Sequence, residues 1–204
     1  MEYLVLGFFT GLSLILALGA QNIFVIEQGL KKQHIFLVCL VCSLSDLLLI
    51  FVGILLFHLI YQYFNLFAEL FLNILLIIFL IYFIYSKIKS LKINVNFNSE
   101  FENISSFKIL LKTLSFTYLN AHVYSDTVFF LGNFSKNFLF NEKIYFGMGA
   151  SIASFIFFFL LGYLSVYFSK YAQSDKIWKY INIFVISFMS VLTIYIIKET
   201  LLFL

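Results

Sequence analysis

The chain contains apolar runs that are too long for the helices of a soluble domain. A helix needs about 20 mostly apolar residues to cross the ~30 Å hydrocarbon core of a bilayer, where backbone polar groups must be hydrogen-bonded internally. Membrane barrel strands would instead alternate polar and apolar residues over about ten positions. The sequence lacks that alternation, and its long apolar runs cover residues 3–26, 35–60, 66–85, 109–133, 144–168 and 180–202. We therefore predict an all-α membrane protein with six transmembrane helices.

Composition excludes the main classes of soluble protein. Charged residues make up 11% of the chain and hydrophobic residues 63%, whereas soluble domains hold about 25% charged residues. So few charges cannot cover a water-exposed surface. The basic residues are all Lys and form no patch suited to nucleic acid. We expect the lipid bilayer to surround the protein, and we expect neither a soluble enzyme nor a nucleic-acid-binding protein.

One polar segment divides the chain. Residues 86–108 are rich in Ser, Asn and Lys, and they separate three predicted helices in residues 1–85 from three in residues 109–204. Because each half has an odd number of spans, the second half inserts in the opposite orientation. We therefore predict two inverted three-helix repeats, a plan that is common among transporters.

The distribution of lysine predicts the orientation. The first, third and fifth loops carry ten Lys residues, whereas the opposite set of segments carries only Lys136, Lys143 and Lys198. Because Lys is retained on the cytoplasmic side, we predict a cytoplasmic 86–108 linker and both termini outside. The small-residue pairs Gly7/Gly11 and Gly149/Ala153 allow close helix packing, and they leave open whether the chain forms a homo-oligomer.

Two acidic residues lie deep inside predicted spans. Asp46 is 12 residues past His34, or ~18 Å along a helix that rises about 1.5 Å per residue, and Asp126 is similarly deep in the fourth run. An Asp at the centre of a span costs about 2.5–3.5 kcal/mol on insertion scales. One interpretation is purely structural: each acid forms an interhelical hydrogen bond that stabilises the bundle. The presence of one acid in each half favours a water-filled cavity where they bind a cation or a proton.

Further polar residues interrupt the first and fourth runs. The first run contains Gly19, Gln21 and Asn22, which combine a flexible position with two amides. The other acids, such as Glu27, are predicted to lie in loops, beside them or near span ends.

In the fourth run, Asn120 and His122 precede Asp126. His122 and Asp126 are four residues apart and share a helix face. This pair predicts a proton relay or a substrate-binding site.

Several stretches spread along the chain have a distinctive sequence and spacing: LGAQNIFV at 18–25, QGLKKQH at 28–34, CSLSD at 42–46, NAHVYSDT at 120–127 with LG at 131–132, Gly149 with ASF at 153–155, and IN at 181–182. Together they cover nearly the whole chain and resemble the LysE family of lysine and arginine exporters. The resemblance implies six hydrophobic segments, export of basic amino acids across the bacterial inner membrane, and membrane-embedded acids at Asp46 and Asp126.

One departure from this family concerns proline. The family usually has Pro in the motifs of helices one and four, where this chain has Ala17, Ala20 and Ala121. A Pro would interrupt the helical hydrogen bonds and open a half-helix end toward the substrate. Alanine favours continuous helices, although Gly19 and Asn120 would still permit a break.

A basic amino acid needs anionic partners for its cations and donors for its carboxylate. We expect Asp46 and Asp126 to bind the cations, and the groups that take the carboxylate to be Gln21, Asn22, Asn120 and backbone amides near Gly19. Export of a +1 substrate against an inside-negative potential costs about 2.3 kcal/mol per 100 mV. Exchange for an incoming proton cancels this term, so proton antiport is predicted. Asp126 with His122 is the first candidate for the proton site, and Asp46 is the second.

Two alternatives stay open at this point. The chain could export neutral amino acids such as threonine or homoserine, because proton coupling alone could account for the buried acids. Less favoured is a thiol-redox membrane protein that uses Cys39 and Cys42, since the other half has no second Cys group. No metal site or cofactor is predicted, because no Cys/His cluster has ligand spacing.

Overall fold

The computed structural model describes residues 1–16, 19–63, 66–92, 105–172 and 175–202. Within these ranges the chain is helical and contains no strand, as the apolar runs predict. The elements are α1 (Glu2–Ile15), α2 (Ala20–Lys31), α3 (Ile35–Tyr63), α4 (Leu66–Lys92), α5 (Ser106–Tyr118), α6 (Ala121–Tyr124), a π-helical segment (Ser125–Phe130), α7 (Leu131–Phe134), α8 (Phe140–Phe168), a 3-10 turn (Ser169–Ala172) and α9 (Asp175–Leu202).

Several of these helices are long and apolar enough to cross a bilayer. Among the described residues, Ile35–Phe57, Phe140–Tyr171 and Lys179–Lys198 each meet this requirement. Helices α1 and α2 meet it together, as one broken pair. Large hydrophobic side chains are exposed along the helices, which fits a protein that is surrounded by lipid.

Helix α8 is the centre of the bundle and packs against α1, α2 and α3. The contact with α1 is close because it is built on glycine. A Cβ on Gly7 would collide with the carbonyl of Phe146, and a Cβ on Gly149 would collide with the carbonyl of Leu4. The two small-residue pairs therefore serve packing within the chain, while α4 packs mainly against α9.

The first predicted span is broken rather than continuous. Helix α1 ends at Ile15, α2 begins at Ala20, and the two axes are bent by 82°; Ala17 lies outside the described residues. Gly19 precedes α2 in an extended conformation, with φ −116° and ψ −178°. The Asn22 side chain reaches back across the break, where its Nδ2 donates to the Ile15 carbonyl at 3.2 Å. The amide thus satisfies a carbonyl that the end of α1 leaves without a helical partner.

The fourth predicted span is broken in a related way. Helix α5 ends at Tyr118, and Asn120 precedes α6. The Asn120 Oδ1 accepts the backbone N–H of His122 at 3.2 Å, which is the N-capping arrangement that Asn favours. The Tyr124 hydroxyl donates to the Tyr118 carbonyl at 2.9 Å. Both spans are therefore interrupted without proline.

The polar linker predicted at 86–108 stays a prediction: α4 continues to Lys92 and α5 begins at Ser106, while residues 93–104 lie outside the described ranges. One local expectation is wrong. Glu27, which was expected beside a loop, lies within α2 and is only 2% exposed. Its spacing of four residues from Lys31 allows an ion pair on one helix face. This pair offsets part of the free-energy cost of burying the carboxylate.

Candidate functional site

A cavity of about 540 Å³ lies between the two broken spans, α3, α8 and α9. Its volume falls within the range of about 300–1,000 Å³ that is typical of small-molecule sites. Every residue that the sequence predicts for the site lines this cavity: Gly19, Gln21, Asn22, Asp46, Asn120, His122 and Asp126. Residues that are distant in the sequence and come from both halves of the chain therefore meet in one place.

Asp46 is the more deeply buried of the two acids. It lies on α3 and is 3% exposed. The hydroxyl of Ser154, on α8, donates to its Oδ2 at 2.7 Å. Ser154 is itself fully buried, so this bond fixes the carboxyl group from the opposite helix. One neutral donor leaves capacity for further hydrogen bonds at the carboxylate, which can accept about four.

Asp126 lies on an irregular turn and is only partly buried. It belongs to the π-helical segment, where the Leu131 N–H donates to the Asp126 carbonyl five residues earlier. Such π-helical turns are frequent at functional sites because they redirect side chains. Gly53 allows α3 to approach this segment, since a Cβ there would lie 2.6 Å from the Val128 Cα. This backbone contact fixes the position of the Asp126 turn relative to α3, the helix that carries Asp46.

The N-terminal end of α2 provides hydrogen-bond donors at the cavity wall. Gly19, Ala20, Gln21 and Asn22 all line it, and the first N–H groups of a helix have no partner inside the helix. Gln21 is 6% exposed, and among the described residues its Nε2 has no hydrogen-bond partner. The nearby Cys42 thiol is a weak acceptor. A buried amide donor that lines a cavity without a strong partner is suited to an oxygen atom of a ligand.

Aromatic and aliphatic side chains form the rest of the wall. Phe158 on α8 and Phe188, Val191 and Tyr195 on α9 all contribute. The Tyr195 ring stacks against the His122 ring, with 6.2 Å between centroids and 25° between planes. Apolar walls of this kind cover the hydrocarbon part of a ligand and exclude water from its polar ends.

Sequence reasoning missed Ser154 and Tyr195 as members of the site. Ser154 is a small polar residue in an apolar run, a weak signal because serine is common in membrane helices, where it bonds its own backbone. Tyr195 lies near the end of α9 and looks like an interfacial aromatic residue. Only the packing of α8 and α9 around the broken spans reveals both.

Neither cysteine lines this cavity. Both are free and buried, and the Cys39 thiol donates to the Phe158 carbonyl at 3.2 Å. In this position Cys39 acts as a small helix-packing residue with a weak hydrogen bond. Among the described residues, no group of three His, Cys, Asp or Glu side chains could hold a metal ion.

Comparison with known proteins identifies one family and relatives that cover most of the chain. The family described as LysE type translocator matches residues 12–200. An "Arginine exporter protein ArgO" of Pectobacterium carotovorum subsp. carotovorum (strain PC1) is 32% identical over 180 residues, which is 88% of each chain. A protein of the same name from Salmonella typhimurium (strain LT2) is 31% identical over 189 residues, covering 90% of this chain and 88% of its own. No solved structure matches.

The match extends over nearly the full length of the chain, including both helix breaks and all the residues that line the cavity between them. A translocator moves its substrate without changing it, so the prediction of a transporter rather than an enzyme is confirmed. By this match, the chain belongs to the LysE type translocator family.

Proposed function

We propose that this protein exports arginine and lysine across the bacterial inner membrane in exchange for protons. The observation that carries the proposal is the meeting of Asp46 and Asp126 with the N-terminal end of α2 in one cavity. An intramembrane carboxylate is costly unless it has a function or a partner, and this cavity offers each acid room for a cation. The arginine exporters among the relatives support the choice of substrate.

The two carboxylates bind the cationic groups of the substrate. Asp46 has one neutral donor, Ser154, and faces the cavity. It receives the ammonium or guanidinium group, because a charge-assisted hydrogen bond in a site of low dielectric constant is stronger than one in water. Asp126 lines the same cavity from the π-helical segment and binds the second cation.

The carboxylate of the substrate lies at the N-terminal end of α2. The partly positive N-terminus of a helix and its free N–H groups favour an anion. Gln21 Nε2 adds a side-chain donor at that point. Asn22 and Asn120 line the same end, but one amide donor of Asn22 and the Oδ1 of Asn120 already stabilise the helix breaks. Their remaining polar atoms complete the carboxylate site.

Proton exchange follows from the same carboxylates. An Asp that binds a proton loses its charge and releases the substrate cation, so one group carries both species in turn. Asp126 is the first candidate because it is less buried than Asp46 and because His122 lines the cavity beside it. A proton that enters while a +1 substrate leaves removes the cost of about 2.3 kcal/mol per 100 mV.

The proposed topology has six spans in two inverted repeats, residues 1–85 and 109–204, with a cytoplasmic linker and both termini outside. Two observations support it. The first span of each repeat is broken where it reaches the cavity. His34 Nδ1 and Ser106 Oγ are 3.4 Å apart, so the first loop and the start of the fourth span lie at the same end of the bundle.

Transport by purified protein in proteoliposomes tests the function. We expect counterflow of radiolabelled arginine and lysine, which accelerates when an imposed pH gradient drives protons in the opposite direction. Excess unlabelled lysine should compete with arginine, and excess threonine should not. Competition by threonine, with no transport of arginine, would instead assign a neutral amino acid as the substrate. Counterflow that is insensitive to the pH gradient would remove the proton from the mechanism.

A further inference from the structure

A second cavity, of about 300 Å³, lies between α2 and α9. Ile23, Ile26 and Leu30 line it from α2, and Phe184 and Val185 are among the residues that line it from α9. The same two helices also border the first cavity, through residues 19–22 of α2 and Phe188, Val191 and Tyr195 of α9. The two cavities therefore follow each other along one interhelical gap.

A buried ion pair borders the second cavity. Glu27 contributes to its wall, and Glu27 Oε1 is 2.6 Å from Lys31 Nζ. Glu27 is 2% exposed and Lys31 is 8% exposed. Burial of two charges costs several kcal/mol per ion, and their attraction recovers this only with good geometry. A pair made only for stability gains little from this position, because well-packed apolar residues often do as well.

A third charge lies close to this pair. Lys112 on α5 is partly buried and lies within electrostatic range of Glu27 and Lys31. Of these three charged residues, Glu27 lines the second cavity, whose other lining residues are aliphatic or aromatic. A basic amino acid likewise carries charges of both signs on an aliphatic stem, so its side-chain cation can pair with Glu27 and its carboxylate with a lysine.

We propose that the second cavity is a transit site for the basic amino acid, in which the cationic side chain displaces Lys31 from Glu27. This inference rests on the proposed export of basic amino acids. The apolar walls cover the aliphatic stem, and Lys31, once released, joins Lys112 near the carboxylate of the substrate. Because Glu27 exchanges one cation for another, no buried carboxylate is left unpaired during the step.

The position of the site along the chain fits a route out of the cytoplasm. Lys31 is the last residue of α2, beside the first loop, which we propose to be cytoplasmic. Glu27 is five residues from Asn22 on the same helix, or about 7.5 Å along the axis. An arginine that enters from the cytoplasm therefore reaches Glu27 before it reaches the first cavity.

The substitution Lys31→Arg tests the displacement without removing a charge. Arg binds a carboxylate through two parallel hydrogen bonds, so the substrate must compete with a stronger partner. We expect the KM for arginine at the cytoplasmic face, measured as uptake into inside-out vesicles, to rise about fivefold to tenfold. The matched control is Lys32→Arg, because Lys32 is the exposed neighbour of Lys31 and should leave the KM unchanged.

The substitution Glu27→Gln gives a second, independent measurement. It removes the anionic partner, and we expect the cytoplasmic KM to rise at least as much as in Lys31→Arg. If the pair only stabilises the fold, Lys31→Arg keeps the wild-type KM, and the inference is overturned. Absence of arginine transport in the wild-type protein would overturn the proposed function itself, so the two failures are distinguishable.

Discussion

In both broken spans, a side chain satisfies the backbone carbonyl that the break leaves without a helical partner, but the side chains differ. In each, a residue from the start of the second half-helix donates to the carbonyl of the last residue before the break: Asn22 to Ile15, and Tyr124 to Tyr118. The caps differ, because Asn120 uses its side chain whereas Gly19 has none. A break in a membrane helix therefore requires hydrogen-bond partners for the backbone groups that it frees. Proline is one of several ways to produce such a break.

The two acids differ in the regularity of the helix that carries them. Asp46 lies on the continuous helix α3 and is held by Ser154, whereas Asp126 lies on the π-helical continuation of a broken span. A carboxylate on a rigid helix with a fixed donor is suited to binding a substrate in one orientation. A carboxylate on an irregular, less buried turn can change its environment more readily. We therefore expect Asp46 to dominate substrate affinity and Asp126 to dominate proton coupling.

Replacement of the acids should have the largest effect and tests this division directly. Asp46→Asn removes the negative charge and keeps the shape, and we expect a loss of arginine counterflow of at least about 100-fold, since an uncompensated buried cation costs more than about 3 kcal/mol. Asp126→Asn should abolish acceleration by the pH gradient and retain part of the arginine–arginine exchange. Both rates are measured in proteoliposomes.

Glu142→Gln is the matched control for these two substitutions. Glu142 lies outside the cavity, and its carboxylate accepts the Leu139 N–H at the start of α8, a role that Gln can also perform. Normal net export by Asp126→Asn under a pH gradient would contradict the assignment of the proton to that group. Wild-type affinity in Asp46→Asn would contradict the substrate role.

Loss of the bond across the fourth break should have the next largest effect. Tyr124→Phe leaves the Tyr118 carbonyl without its donor, and an unsatisfied buried polar group costs about 1–3 kcal/mol. We expect a lower thermal unfolding temperature in detergent and reduced transport, because the break positions Asn120 and His122. Tyr163→Phe is the control, since Tyr163 is an exposed tyrosine on α8. Equal stability of the two variants would show that the hydroxyl does not support the break.

The sequence allowed the general architecture to be predicted because long apolar runs leave a chain few options. The all-helical structure is confirmed for the residues that the structure describes, and the residues expected at the site line one cavity. The breaks could not be decided, because they depend on bonds between side chains and distant carbonyls, such as Tyr124 with Tyr118. The burial of Glu27 was missed for a similar reason, since its distance from a predicted loop says nothing about which helices cover it.

Loss of the donor to Asp46 should have a smaller effect than loss of the acid. Ser154→Ala removes one hydrogen bond to the carboxyl group, and we expect the KM for arginine to rise about threefold to tenfold, in line with about 1 kcal/mol for such a bond. Ser151→Ala on the same helix is the control, because the Ser151 hydroxyl bonds the carbonyl of Gly147 in its own helix. If both alanine variants have the same KM in counterflow assays, Ser154 does not position Asp46.

The smallest effect is expected where proline is introduced at the break itself. Ala20 is the first residue of α2, a position where proline is favoured because its missing N–H has no helical partner. Gly19 before it is already extended, which is the conformation that a following proline requires. We expect Ala20→Pro to change the free energy of unfolding by no more than about 1 kcal/mol. Stability is the measure here, because the Ala20 N–H is one of the donors proposed for the substrate carboxylate. Ala153→Pro, in the middle of α8, should prevent folding, since it costs about 3 kcal/mol or more. Similar damage from both substitutions, measured by thermal unfolding, would mean that the first span is continuous. With Ala20→Pro tolerated, the Asn22→Ala substitution should become less harmful in that background, because proline would maintain the break that Asn22 otherwise stabilises.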